Sequence, residues 1–344
     1  MSIVLNYLKL QENHKNIFKL FSEVENFIFG INKLKIDQNI FICGMPRSGT
    51  TFFTHLINSS DEFSSFKYKD LPFYTIPIFW KYFSGIFYGN KRKIHRLHGD
   101  NLLIDKFSPD SFEELIWKNY LPDYSDKGYW QYLDKDHLGN IDKTLEFFMK
   151  KIIYINKKNK YLSKNNNNIF RIKYILSKFP NSKIILILRN PIDTSISLSK
   201  VHKRFLKLHN LNNEFSDELK LLGHEEFGFN RKFFNLDNIN TLNYNRSNNE
   251  IKKYINKCLE LNSFIVKNYM EEIKKDKIIV ADFDNLTKFN DIKLLLKKLN
   301  ISNIKKVEEF FNKNFKKRDL YKLKRDYFEN FLKDYRILQK YSLI

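Results

Sequence analysis

Cysteine is nearly absent from this sequence: Cys43 and Cys258 are the only two in 344 residues. Two distant cysteines provide neither a disulfide framework nor the paired spacing of a zinc site. Histidines and carboxylates are also dispersed rather than clustered at metal-ligand spacings. The sequence therefore predicts no metal site and suits a reducing compartment.

Long apolar runs are also missing. Between Met1 and Phe21, polar residues interrupt the apolar ones, so neither a signal-peptide core nor a span of about 20 apolar residues can be drawn. We therefore expect a cytoplasmic protein without a transmembrane segment, which leaves peripheral membrane contact open. No internal repeat or domain linker is present, and the oligomeric state is not predicted.

Acidic residues are outnumbered: 60 Lys and Arg face 39 Asp and Glu, a formal net charge of +21. Such a charge suits nucleic acid or an anionic membrane surface. Lys greatly outnumbers Arg, however, and Asn and Ile are abundant, as AT-rich coding favours. We interpret most lysines as a solvated surface and expect no nucleic-acid partner, although the positive field favours anionic ligands.

Hydrophobic residues make up 42% of the chain, enough for a large core. Apolar runs at 39–43, 183–188 and 277–281 predict strands, and 161–165 is a short strand candidate; helical patterns follow them. This alternation predicts an α/β fold, a doubly wound parallel sheet flanked by helices. We expect one domain over 1–344, with a helical lead-in (1–36), an α/β core (37–300) and a helical tail (301–344).

Two regions lie outside this alternation. In the lead-in, apolar residues recur at three- and four-residue steps and predict an amphipathic helix packed on the core. That stripe consists of Ile17, Leu20, Phe21, Val24 and Phe27. The stretch 63–130 is irregular and aromatic, and we interpret it as a helical substrate-side region.

The first predicted strand leads into Pro46-Arg47-Ser48-Gly49-Thr50-Thr51 and then a helix. Small residues let backbone N–H groups approach a phosphate, and the helix directs its positive end to the same place. A Walker A motif needs Lys directly after the second Gly, where Thr50 stands, so nucleoside triphosphate hydrolysis is disfavoured. The alternative is a tight turn with Arg47 on the surface.

A second candidate phosphate segment follows the 183–188 strand. Arg189 comes directly after the strand, and Ser197 lies eight residues later, about two helical turns along. Arg offers a planar fork for phosphate oxygens and Ser a hydroxyl donor. Alternatively, the two are a loop Arg and a Ser on an exposed helix face.

These motifs resemble the sulfotransferase superfamily. The 46–51 segment is similar to its 5′-phosphosulfate loop, and Arg189 with Ser197 to its 3′-phosphate site. Segments at 70–73, 108–117, 161–165, 179–180 and 224–228 resemble a bacterial-type branch. The resemblance implies a P-loop-like sulfotransferase fold. It also implies an enzyme that transfers the sulfuryl group of 3′-phosphoadenylyl sulfate (PAPS) to a carbohydrate, lipid or other alcohol. The reaction would need no metal and would release the 3′,5′-bisphosphate PAP.

The resemblance also implies roles for two cations. Arg47 would bind the bridging region of the donor and neutralise the leaving phosphate. Lys164, 25 residues before Arg189, matches a family Lys that reaches the sulfate, although it is otherwise one of many lysines.

The general base is open among four residues. Asp70 comes first, because tyrosylprotein-type relatives carry a catalytic Glu at a similar distance after the phosphate loop; a turn-forming Asp is the alternative. His98 is second, since cytosolic relatives use His, and a solvated loop His is its alternative. Glu113 and Glu114 are third, and we interpret them as helix-surface or first-turn carboxylates.

Two other functions are weighed against this one. A kinase-like nucleotide enzyme would need a Lys at position 50, where this sequence has Thr. A basic protein that binds nucleic acid or membrane surfaces would explain the net charge but not the two candidate phosphate segments. The residues left without a role are His202, Arg204 and His224.

Overall fold

The computed structural model describes residues 2–84, 93–99, 102–120, 141–211, 214–232, 249–316 and 332–344. Its strands are β1 (Gln38–Gly44), β2 (Phe63–Ser64), β3 (Ile94–His95), β4 (Leu103–Ile104), β5 (Lys160–Lys164), β6 (Lys183–Leu188) and β7 (Ile278–Asp282). Its helices are α1 (Ser2–Asn13), α2 (Lys15–Ile28), α3 (Thr50–Asn58), α4 (Pro77–Ser84), α5 (Glu114–Tyr120), α6 (Ile141–Asn156), α7 (Ile172–Lys178), α8 (Pro191–Leu211), α9 (Glu214–Leu221), α10 (Glu250–Lys274), α11 (Lys293–Lys298), α12 (Ile304–Asn314) and α13 (Lys333–Gln339).

Five of these strands form one parallel sheet in the order β2-β5-β1-β6-β7. The three apolar runs and the short candidate at 161–165 supply its four longer strands, so the predicted α/β class with a parallel sheet is confirmed. β3 and β4 form a separate antiparallel pair two residues long. The strand order reverses at β1, because the connections on its two sides run in opposite directions across the sheet. In sheets of this kind, a crevice for ligands opens at that point.

Helices cover both faces of the sheet, which is why its strands are apolar on both sides. Alternate residues of β1 separate cleanly: Phe41 and Cys43 face a core built with α6, α7 and α10, whereas Ile40 and Ile42 face a core built with α3, α11 and α12. Among the described residues, none of the helices combines the length and hydropathy needed to cross a bilayer.

The lead-in departs from its prediction. Residues 2–13 and 15–28 are helical, but the apolar stripe of α2 faces outward, with Leu20 and Phe27 59% and 85% exposed. The side chains that α2 turns inward are mainly Phe18, Glu25 and Asn26. The prediction that the stripe packs on the core is therefore wrong, because the periodicity identifies an apolar face without identifying what covers it.

Candidate active site at the carboxyl edge of the sheet

The loop after β1 needs its glycines. A Cβ on Gly44 would lie 2.5 Å from the Ile187 carbonyl oxygen, and one on Gly49 would lie 2.4 Å from the Phe283 ring. Gly49 also has a φ of 108°, in the left-handed region that favours glycine. These contacts hold the loop close to β6 and to the turn after β7 while α3 begins at Thr50.

The two phosphate segments meet at this edge. The Arg47 Nε group donates a hydrogen bond to Ser197 Oγ at 3.2 Å. The Arg189 guanidinium donates through Nη1 to the Arg47 carbonyl oxygen at 2.9 Å. Residues 142 positions apart in sequence therefore form one basic cluster beside the N-terminus of α3, which itself favours an anion.

A second charged cluster centres on Asp110, which the sequence did not single out. Its carboxylate lies 3.1 Å from Lys164 Nζ and 3.3 Å from the Arg96 guanidinium. Burial raises the Asp110 pKa, but Lys164, Arg96, His224 and the Ser111 backbone N–H together hold it well below its usual range. Arg96 also donates to Thr51 Oγ1 at 3.2 Å, which joins this cluster to the first phosphate loop.

His98 is packed among aromatic rings. Its ring packs edge-on against Phe205 and Phe227, with centroids 5.2 and 5.3 Å apart. Burial, followed by the charges of Arg96 and Arg47, lowers the His98 pKa well below its ordinary value. The imidazole is therefore neutral at pH 7 and lies within electrostatic reach of both clusters.

Arg204, on α8, supports the turn that carries His98. A Cβ on Gly99 would lie 2.8 Å from Arg204 Nη1, so the guanidinium packs directly on that backbone. His202 accepts a hydrogen bond from the Gly228 N–H at 3.0 Å, which ties α8 to the following loop. Neither contact reaches the Arg47 and Arg189 cluster.

Asp70 occupies a different environment. Its carboxylate accepts the Lys67 backbone N–H at 3.1 Å within the same turn and lies 3.8 Å from Lys69 Nζ. Burial raises the Asp70 pKa to about 6, although both lysines oppose the shift. In the described part of the chain, no hydrogen bond or ion pair joins Asp70 to Arg47 or Lys164.

Glu113 and Glu114 are both buried, so neither is a helix-surface carboxylate, whereas Glu114 does lie in the first turn of α5. Glu113 accepts hydrogen bonds from the Tyr161 hydroxyl and from Ser163 Oγ. Glu114 forms a two-point ion pair with Arg171, at 2.8 and 2.9 Å. Each carboxylate is occupied by its structural partners.

Asp284, after β7, is a further site residue that the sequence did not reveal. It accepts the Asn190 backbone N–H at 2.6 Å and lies 3.7 Å from Arg189 Nε. Burial raises its pKa to about 6. The only sequence feature that could have indicated Asp284 is its position after an apolar strand, at the edge where ligands bind in such sheets.

Arg96 lies in the irregular stretch 63–130 and Asp110 in the segment 108–117. Neither residue has a spacing pattern that predicts a role in the site.

The loop also contains a buried hydroxyl suited to a ligand. Ser48 Oγ is inaccessible, and no hydrogen-bond partner for it occurs in the described part of the chain. A buried polar atom without a hydrogen-bond partner is costly, and an anion at the start of α3 would supply that partner.

Among the residues that the structure describes, no group of three or more His, Cys, Asp or Glu side chains is arranged to hold a metal ion.

Comparisons with known proteins agree with this geometry. A sequence model described as "Sulfotransferase family" matches residues 39–225, more than half of the chain. Two solved structures resemble the fold: sulfotransferase STF9 from Mycobacterium avium, with a TM-score of 0.50 and 12% identity over 89% of this chain and 77% of that chain, and sulfotransferase STF1 from Mycobacterium tuberculosis H37Rv, with a TM-score of 0.45 and 8% identity over 89% and 84%. No curated protein sequence matches. On the family match, the chain belongs to the sulfotransferase family.

Proposed function

We propose that this protein transfers the sulfuryl group of PAPS to a hydroxyl acceptor. The observation that carries the proposal is the convergence of Arg47, Ser197 and Arg189 through two hydrogen bonds. A 5′-phosphosulfate on the first loop and a 3′-phosphate on Arg189 and Ser197 would then be held by one connected cluster. The family match supports sulfuryl transfer, and the second phosphate segment supports PAPS as its donor.

The first loop would hold the 5′-phosphosulfate through its backbone N–H groups, the hydroxyls of Ser48, Thr50 and Thr51, and Arg47. Lys164 would offset the charge that develops on the bridging oxygen. Asp110 holds Lys164 in place at 3.1 Å before the donor binds. Such fixed charges lower a transfer barrier because they need not reorganise when the charge develops.

In the transfer step, the acceptor oxygen forms a bond to sulfur while the bond from sulfur to the 5′-phosphate oxygen breaks. The hydroxyl proton passes to a general base, and PAP leaves. We propose His98 as that base, ahead of Asp70. The neutral imidazole can accept a proton, and bound donor phosphates would offset the charges of Arg47 and Arg96 that now lower its pKa.

Ligand-induced thermal stabilisation tests the donor. We expect PAP to raise the melting temperature, because a ligand that binds only the folded state stabilises it, whereas ATP with magnesium and duplex DNA should have little effect. Arg189→Ala should abolish the response to PAP. Lys203→Ala, which removes one positive charge from an exposed position on α8, is the matched control and should respond like the wild type.

Either of two results would overturn the proposal. Equal stabilisation by ATP with magnesium would favour a kinase-like enzyme, and stabilisation by DNA alone would favour a basic binding protein. An unchanged PAP response in Arg189→Ala would remove the 3′-phosphate role from this residue.

A further inference from the structure

The α2 helix is oriented opposite to an ordinary surface helix, which buries its apolar stripe and exposes its polar side. Its buried side includes Glu25, whose carboxylate pairs with Lys151 Nζ at 2.9 Å and accepts the Phe79 backbone N–H at 2.6 Å. Lys151 also donates to Ser22 Oγ at 2.6 Å. This polar contact fixes α2 on the protein, so its rotation is set by the fold.

The outward side of α2 carries what we name the α2 stripe. Its members recur at three- and four-residue steps and are 38–85% exposed: Ile17, Leu20, Phe21, Val24, Phe27 and Ile28. At roughly 150–250 Å² for a fully exposed aromatic side chain and somewhat less for an aliphatic one, the stripe presents on the order of 600 Å². A monomer's largest apolar patch is about 300–600 Å². The stripe is therefore large for a surface left in water.

Aromatic residues of α4 extend the stripe at its C-terminal end. Phe29, which follows Ile28, stacks on Tyr82 with ring centroids 6.1 Å apart. Tyr82 and its neighbour Phe83 are both exposed. A Tyr beside exposed Phe and Ile side chains is the composition that lies at the boundary between acyl chains and headgroups.

The charges around the stripe decide which partner fits. Residues 2–36 carry five exposed lysines against two exposed glutamates, and the whole chain carries a net charge of +21. Two copies joined through this face would bring their lysines together, whereas an anionic lipid surface would attract them. From the stripe and its charge, we propose that α2 docks this protein on an anionic phospholipid membrane. This proposal does not depend on sulfuryl transfer.

Vesicle co-sedimentation of the full chain tests the proposal. We expect binding to vesicles that contain phosphatidylglycerol, and at least tenfold weaker binding to pure phosphatidylcholine vesicles. The double variant Leu20→Ser/Phe27→Ser should lose at least tenfold in binding to the anionic vesicles. Leu294→Ser is the matched control, because Leu294 is 49% exposed on α11, against the other face of the sheet, and its loss should leave binding unchanged.

A second measurement reports on the stripe directly. Phe27→Trp places an indole at the most exposed stripe position, and its emission should shift to the blue only with anionic vesicles. The proposal fails if the wild type does not sediment with those vesicles, or if the double variant binds them as well as the wild type does. It also fails if light scattering shows a dimer that the double variant dissociates, since a second copy would then cover the stripe.

Discussion

His98 and Asp70, the two leading candidates for the base, both have pKa values shifted by burial, and they face different cations. Burial, followed by the charges of Arg96 and Arg47, lowers the His98 pKa, so the side chain is uncharged. Asp70 is buried with a pKa raised to about 6, and its carboxylate closes its own turn. Spacing along the sequence favoured Asp70, whereas the electrostatic effect of Arg47 and Arg96 on His98 favours His98.

Substitution of each residue separates the two roles. We expect His98→Gln to lower kcat by about 10²- to 10⁴-fold, the usual contribution of a general base, and to leave stabilisation by PAP unchanged. Asp70→Asn should retain most of its turnover, with a lower melting temperature because it weakens the turn. The opposite pattern would assign the base to Asp70.

The pH profile gives an independent check on His98. For a base, activity is lost as pH falls through its pKa, and kcat/KM reports the free enzyme. Because the His98 pKa lies well below 6.5 in the free enzyme, kcat/KM should stay level from pH 8 to 6.5 and fall only at lower pH. This acid limb should disappear in His98→Gln.

At the scale of elements, α5 is tied to the segment after β5 by buried charges. The Glu114 carboxylate meets Arg171 at two points and accepts from Asn165 Nδ2 at 2.5 Å. The Arg171 guanidinium also lies 4.4 Å from the Trp117 ring centroid. This network holds α5, and the Asp110 segment just before it, against the edge of the sheet that carries Lys164.

Removal of one partner should therefore be costly. We expect Glu114→Ala to reduce the free energy of unfolding by about 3–5 kcal/mol, because Arg171 would keep a buried charge without its carboxylate. Urea denaturation measures the change. Glu271→Ala, in an exposed pair with Lys275 at 3.6 Å, should change it by less than about 0.5 kcal/mol. Similar losses for the two variants would contradict the structural role of Glu114.

At the scale of the whole molecule, the fold encloses the two cysteine thiols. Cys43 lies in β1 and Cys258 in α10, and both are buried. Burial raises the pKa of both thiols, that of Cys258 to about 12. Thiols that are both inaccessible and protonated react slowly.

Thiol titration should follow global unfolding. We expect the native protein to react negligibly with an aromatic disulfide reagent at pH 8 and both cysteines to react fully in guanidinium chloride. Because β1 is central in the sheet, the exposure of Cys43 should coincide with the loss of circular dichroism. Rapid reaction of Cys43 in the native state would mean that β1 opens independently.

Much of the fold was readable from local pattern. Apolar runs identified three of the four long strands, and the glycines, Arg47, Arg189 and Ser197 were visible because each belongs to a contiguous segment at a strand end. Such features depend on neighbours in sequence, which sterics and periodicity fix.

Only the tertiary structure decided the rest. It joined Arg96, Asp110 and Lys164 into one cluster, buried Glu113 and Glu114, and turned the α2 stripe outward. These outcomes depend on partners far away in sequence, such as Arg171 for Glu114. Sequence alone identified the two strand-end segments where we expect an anion site, whereas packing decided which charges surround them and which apolar face stays in water, because both depend on contacts that no local pattern encodes.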